Sequence, residues 1–107
     1  HAIASLESLG YQVMVASDGR QALAMLEGGA APALLFTDVV MPGGLNGWDL
    51  SAAARKLMPE LKVLYTSGYP VEALAGRVEL EHGANMLAKP YRLADLARRV
   101  REVLDGR

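Results

Sequence analysis

The sequence predicts an α/β fold, a parallel β-sheet with helices packed on both faces. Three observations predict it. Continuous apolar runs of strand length alternate with longer amphipathic stretches along the whole chain. Gly, Pro, Asp or Asn marks each junction between them. Asp38, Thr66 and Lys89 each terminate an apolar run, and right-handed βαβ connections bring such residues to one sheet edge, at the carboxyl ends of the strands, where open α/β sheets carry their sites.

Each element has its own signal. Residues His1 to Leu9 read as the last turns of a helix, with Ile3, Leu6 and Leu9 on one side and Gly10 placed to end it. A strand is expected over Gln12 to Ala16. Ser17 or Asp18 can cap a helix that turns Ala22, Leu23 and Leu26 inward and stops at Gly28-Gly29. Ala33 to Thr37 is an apolar run ending at Asp38, the pattern of a parallel strand buried on both faces. After a loop from Val39 to Asn46, a helix runs from about Gly47 to Met58, stopped by Pro59. Lys62 to Thr66 is the next strand and Ser67 to Pro70 a loop. Val71 to His82 reads as a helix interrupted by Gly76. Beyond Gly83, a short strand from Met86 to Ala88 leads into Lys89-Pro90. The last helix, Leu93 to Leu104, places Leu93, Leu96, Ala97, Val100, Val103 and Leu104 on one stripe at i, i+3, i+4, i+7 spacing.

With 107 residues, 51% of them hydrophobic, and 11 Lys+Arg against 12 Asp+Glu, the chain has the profile of one domain. A chain of this length buries roughly 65% of the surface its unfolded form exposes, enough for a core without staples. It has no cysteine, which excludes a disulfide scaffold, a Cys-ligated zinc or iron–sulfur site and a thiol nucleophile, and fits a reducing compartment. The net charge of −1 lacks the basic excess of a nucleic-acid binder, and no apolar run approaches the roughly 18 residues of a membrane helix. The start carries no signal-peptide pattern. A cytoplasmic domain without direct nucleic-acid or membrane contact is therefore expected. Because the chain opens at His1 directly into helical sequence, it is expected to be a piece of something longer.

The three strand-ending residues carry the chemistry. Asp after a strand commonly caps a helix or makes a turn, but Val39, Val40, Met41 and Pro42 follow Asp38 and no helix begins within capping reach. A carboxylate there could hold a hard cation or attack phosphorus. Lys89 could be a strand end whose ammonium reaches water. The following Pro90 instead offers a possible cis peptide, a fixed turn aiming the ammonium back over the sheet edge, where it would offset the charge of phosphoryl oxygens. Thr66 alone is an ordinary β-branched strand residue. Between Asp38 and Lys89 its hydroxyl could bond a phosphoryl oxygen.

Asp38-Val39-Val40-Met41-Pro42 with Gly47, Thr66-Ser67-Gly68-Tyr69, and Gly83-Ala84 leading to Lys89-Pro90-Tyr91 together resemble the receiver domain of bacterial response regulators, the CheY-like fold. Thr66 follows Asp38 by 28 positions and Lys89 follows Thr66 by 23, and three motifs in order are far more specific than any one. The resemblance spans essentially the whole chain. It implies a flavodoxin-like doubly wound sheet of order 2-1-3-4-5. It further implies that Asp38 accepts a phosphoryl group from a histidine kinase, a phosphotransfer protein or a small phosphodonor. Mg²⁺ would bridge the group to Asp38 and the Val40 carbonyl, and Thr66 and Lys89 would bind the phosphoryl oxygens. The output would be a shift between two conformations, read by a downstream protein or output domain on the face formed by the fourth helix, fifth strand and fifth helix. Such a module is a phosphorylated switch rather than a turnover enzyme. The Thr66-Ser67-Gly68-Tyr69 segment is also similar to the receivers of hybrid sensor histidine kinases.

The chain departs from the family pattern in places. The family begins with a strand ending in an acidic pair that holds Mg²⁺, and the only acid ahead of Asp18 is Glu7, within the helix remnant. The chain is therefore expected to lack the first strand and the start of the first helix, which leaves interior backbone groups unpaired, puts Mg²⁺ binding by these residues in doubt and favours association into a homodimer. Gly47 lies nine residues after Asp38, one more than the commonest family spacing, with Gly43-Gly44 in the loop. Met86 stands where the family often has an aromatic switch residue, and a methionine can pack in two ways. Tyr91 and Trp48 read as packing residues, and Arg98, Arg99 and Arg101, interleaved with Asp95 and Glu102, read as a solvated face. The main rival is a degenerate receiver that binds partners without phosphorylation. An aspartate-nucleophile phosphohydrolase of the haloacid dehalogenase kind needs a second Asp where Val40 stands, and no phosphate-loop pattern occurs.

Overall fold

The computed structural model describes residues 2–39, 45–67 and 86–106. Its elements in chain order are α1 (Ala2–Ser8), α2 (Gly19–Glu27), β1 (Leu34–Asp38), α3 (Gly47–Leu57), β2 (Lys62–Ser67), β3 (Met86–Ala88) and α4 (Leu93–Leu104). The helix expected over 71–82 with His82, the loop residues Val40, Met41, Pro42, Gly43 and Gly44, the Gly83-Ala84 step and His1 lie outside the described residues.

Local chemistry explains most boundaries. Gly10, at φ 94°, ends α1 in the left-handed conformation that glycine adopts without a Cβ penalty. The Asp18 side chain accepts from the Gln21 amide at 2.8 Å and caps α2. Asn46 does the same for α3 through the Asp49 amide at 2.9 Å. α4 spans the residues that its apolar stripe marks, with Leu96, Val100 and Val103 buried.

The three strands are all parallel and lie in the order β1-β2-β3. Side chains alternate across the sheet, so each face has its own core. Leu35, Val63, Tyr65 and Met86 pack with Trp48 and Ala54 of α3 and Leu26 of α2, while Leu34, Phe36, Leu64 and Leu87 pack with Leu96, Val100 and Val103 of α4 and Leu6 of α1. Fully burying a side chain such as Leu64 or Leu96 contributes about 1.5–3 kcal/mol, and helices cover both faces as expected.

Two expectations are corrected. The segment from Gln12 to Ala16 forms no strand, and Met14 and Val15 are 55% and 54% exposed. The apolar pattern suits a strand, but a strand exists only against a neighbour's backbone. Here a groove of about 1080 Å³ lies between this segment and β1, with Val13, Val15, Leu34, Phe36 and Asp38 among its walls. For the same reason β1 is half-buried along most of its length, with only Thr37 buried, rather than enclosed on both faces.

Candidate functional site

The carboxyl ends of the three strands gather the polar residues that terminate the apolar runs. Asp38 is the last residue of β1, directly opposite Thr66 in the parallel register, and Lys89 follows the last residue of β3. Lys89 Nζ lies 2.8 Å from Asp38 Oδ1. The two side chains remain 44% and 42% exposed, so the ion pair contributes at most about 1 kcal/mol to stability. Its significance is chemical, because it sets a cation beside a carboxylate that retains bonding capacity. Oδ1 is buried and has no hydrogen-bond partner beyond its ion pair with the ammonium.

Thr66 is buried, and its hydroxyl donates to the Leu87 carbonyl at 2.8 Å. The residue stands where the sequence placed it, with its proton committed to β3 rather than to the carboxylate. Met86, opposite Tyr65 in the register, packs on the Trp48–Tyr65 side of the core. The Lys89–Pro90 peptide is cis. Tyr91 meets Phe36 edge to face, with ring centroids 6.4 Å apart. Burial holds its phenol above the usual tyrosine range, with Lys89 pulling the other way and Asp38 adding to the rise.

Beneath Asp38 the backbone is tightly constrained. The Gly47 amide donates to the Val39 carbonyl at 2.8 Å and the Val39 amide donates to the Thr66 carbonyl at 3.0 Å. A Cβ on Gly47 would lie 2.3 Å from the Asp38 carbonyl oxygen. Position 47 therefore admits only a hydrogen where α3 begins under the end of β1. That requirement is one of close approach rather than of unusual dihedrals.

A divalent metal needs several oxygen ligands beside Asp38. The free lone pairs of Asp38 Oδ1 suit a hard cation, which prefers several oxygen ligands. Among the described residues, however, no three acidic or histidine side chains come together. Asp18, which lines the groove with Asp38, is engaged in capping α2, and the Val40 carbonyl lies outside the described residues. Among the described residues fewer than three such ligands come together, so these donors alone do not fit the ion.

Sequence reasoning missed two residues close to this site. Tyr65 and Ser51 are both 1% exposed and hydrogen-bonded to each other. The available signal was a polar residue on the inward stripe of α3, at position 51 between Trp48 and Ala54. The solvated face of α4 is present as expected, with ion pairs Arg98–Asp95, Arg99–Glu102 and Arg101–Asp105. The Arg101 hydrogen bond holds the Asp105 carboxyl below its ordinary range.

Comparison with known proteins agrees with this geometry. The response regulator receiver domain profile matches residues 2–101. The chain is 35% identical to the sensor kinase CckA of Brucella abortus over 96% of its own length and 11% of that protein. It is 32% identical to the response regulator receiver protein CpdR of the same organism, over 95% of this chain and 83% of the relative. A solved CheY-like receiver domain protein from Methanospirillum hungatei superposes with a TM-score of 0.82 at 30% identity, covering 97% of this chain and 82% of that one. The chain thus belongs to the response regulator receiver family, the CheY-like modules of two-component systems, which are generally signalling rather than catalytic. No helix among the described residues is long and apolar enough to cross a membrane.

Proposed function

We propose that Asp38 is the phosphoacceptor of a two-component phosphorelay. The observation that carries this reading is the Lys89 ammonium 2.8 Å from the Asp38 carboxylate, at a strand-end edge that also holds Thr66. A carboxylate oxygen of Asp38 attacks the phosphorus of a phosphohistidine. An O–P bond forms as the P–N bond breaks, and the electron pair leaves with the imidazole nitrogen. Lys89 offsets the charge of the transferred oxygens, and Thr66 exchanges its bond to Leu87 for one to the phosphoryl group. That exchange, with repacking of Met86, biases the face that a downstream protein or output domain reads, through a coupling of about 1–3 kcal/mol.

The donor is a histidine kinase or phosphotransfer protein, and similarity to a sensor kinase supports a receiver that works within a larger kinase. In this reading the groove beside β1 is the berth of one further parallel strand.

Intact mass before and after incubation with acetyl phosphate, with and without Mg²⁺, tests the reading. The expected result is a gain of one phosphoryl group that Asp38→Asn abolishes and Lys89→Ala slows, with the fold retained in both. Labelling that survives in Asp38→Asn moves the acceptor elsewhere. No gain under any condition favours the rival, a receiver that binds partners without phosphorylation.

A further inference from the structure

We propose that the buried hydrogen bond between Ser51 and Tyr65 is a positioning device for Asp38, acting through the first turn of α3. The proposal rests on Asp38 being the phosphoacceptor. Neither residue touches the carboxylate. Both belong to a closed circuit of short contacts that passes through its backbone.

The circuit can be followed atom by atom. Ser51 Oγ has one proton and donates it to the Trp48 carbonyl at 3.0 Å. In the Ser51–Tyr65 bond the phenol is therefore the donor and Ser51 the acceptor. This bond ties α3 to β2 at the residue immediately before Thr66. Trp48 stacks obliquely on the same Tyr65 ring, with centroids 4.5 Å apart, so helix and strand are joined by both a polar and an aromatic contact. Gly47 precedes Trp48, and its amide holds the Val39 carbonyl while its α-carbon lies against the Asp38 carbonyl with no room for a Cβ. Val39 in turn donates to Thr66, which closes the ring from Asp38–Val39 through Gly47, Ser51 and Tyr65 back to Thr66.

A rotation or slide of α3 carries Gly47 with it, and Gly47 is hydrogen-bonded to Val39 and sits too near the Asp38 carbonyl to admit a Cβ. The motion is transmitted to the Asp38 backbone. The Ser51–Tyr65 bond is the polar side-chain contact that holds the helix in that rotation, and Met86, beside Tyr65 in the sheet, packs on the same cluster. A hydrogen bond that only stabilised the core would leave Asp38 in place when removed. A positioning bond would not.

The test uses Tyr65→Phe, which keeps the ring and deletes the phenol, Ser51→Ala, the double variant, and Ser51→Thr, which keeps the hydroxyl. Each is first shown to be folded by circular dichroism at the assay temperature. Rates of phosphoryl uptake from acetyl phosphate are followed by intact mass, and the backbone amide resonances of Asp38, Val39 and Thr66 by NMR. Each single variant is expected to slow uptake by roughly 3- to 30-fold, below the roughly hundredfold cost of a 1 Å misplacement. The double variant should lose no more than either single one, as for two halves of one device, and Ser51→Thr should recover most of the rate. The Asp38 and Val39 amides should shift in Tyr65→Phe.

Lower melting temperatures with parent uptake rates and unmoved Asp38 and Val39 amides would overturn the proposal. If the parent chain takes up no phosphoryl group, that result bears on the phosphoacceptor reading alone, and the amide resonances decide this one. Movement at Asp38 and Val39 then supports positioning, and its absence refutes it.

Discussion

The Asp38 site is built from residues that are unremarkable one at a time and informative only by place. An Asp–Lys pair this exposed contributes little to folding, and a Thr bonded to a neighbouring strand's carbonyl is ordinary sheet chemistry. What distinguishes them is that Asp38 keeps unused lone pairs beside a cation. Holding them there depends on a residue with no side chain. Gly47→Ala should destabilise the fold by about 1–3 kcal/mol, because the new Cβ meets the backbone oxygen of Asp38, 2.3 Å away, and not the yielding end of a side chain. The drop in urea midpoint measures the cost. A variant as stable as the parent would mean that the Asp38–Gly47 approach is looser than the structure has it, and with it the circuit under the carboxylate.

At the scale of elements, α3 is the one whose placement matters most to the site, and its start is held by Asn46. Asn46→Ala should cost about 1 kcal/mol, as the loss of an N-cap typically does, and Asn46→Gly only a few tenths. Equal losses for the two would assign the effect to backbone rather than to the cap. This element also shows how far the sequence could be read. Its span, its stop near Pro59 and the anchoring Trp48 follow from local pattern, as do α4, β2 and β3, and the strand-end positions of Asp38, Thr66 and Lys89. The partnership of Ser51 with Tyr65 does not, because it joins a mid-helix hydroxyl to a strand phenol 14 residues away, and no periodicity encodes such a pair. Nor does the commitment of the Thr66 hydroxyl to Leu87, which depends on how β2 and β3 align. The Gln12 to Ala16 segment failed for a related reason: alternation and β-branching describe a surface fit for pairing, and pairing needs a neighbour.

Among the described residues, β1 has no backbone neighbour on its groove side. The Val39 amide bonds toward β2, and in a parallel ladder alternate residues of a strand direct their backbone groups to the same side. Leu35, Thr37 and Val39 therefore serve β2, while the amides of Leu34, Phe36 and Asp38 face the groove. Amide hydrogen exchange should divide β1 by parity. The amides of Leu35, Thr37 and Val39 should be protected to near the global unfolding limit, and those of Leu34, Phe36 and Asp38 should exchange by local opening at far lower cost. An outward-facing strand edge also invites pairing between molecules. The even-numbered amides should thus gain protection as protein concentration rises, in step with any dimer seen by sedimentation. Uniform protection in a dilute monomer would refute the open groove and mean that part of this chain already fills it. Uniform protection that appears only in the dimer would make β1 the interface, and the carboxylate at its end would then lie where two copies meet.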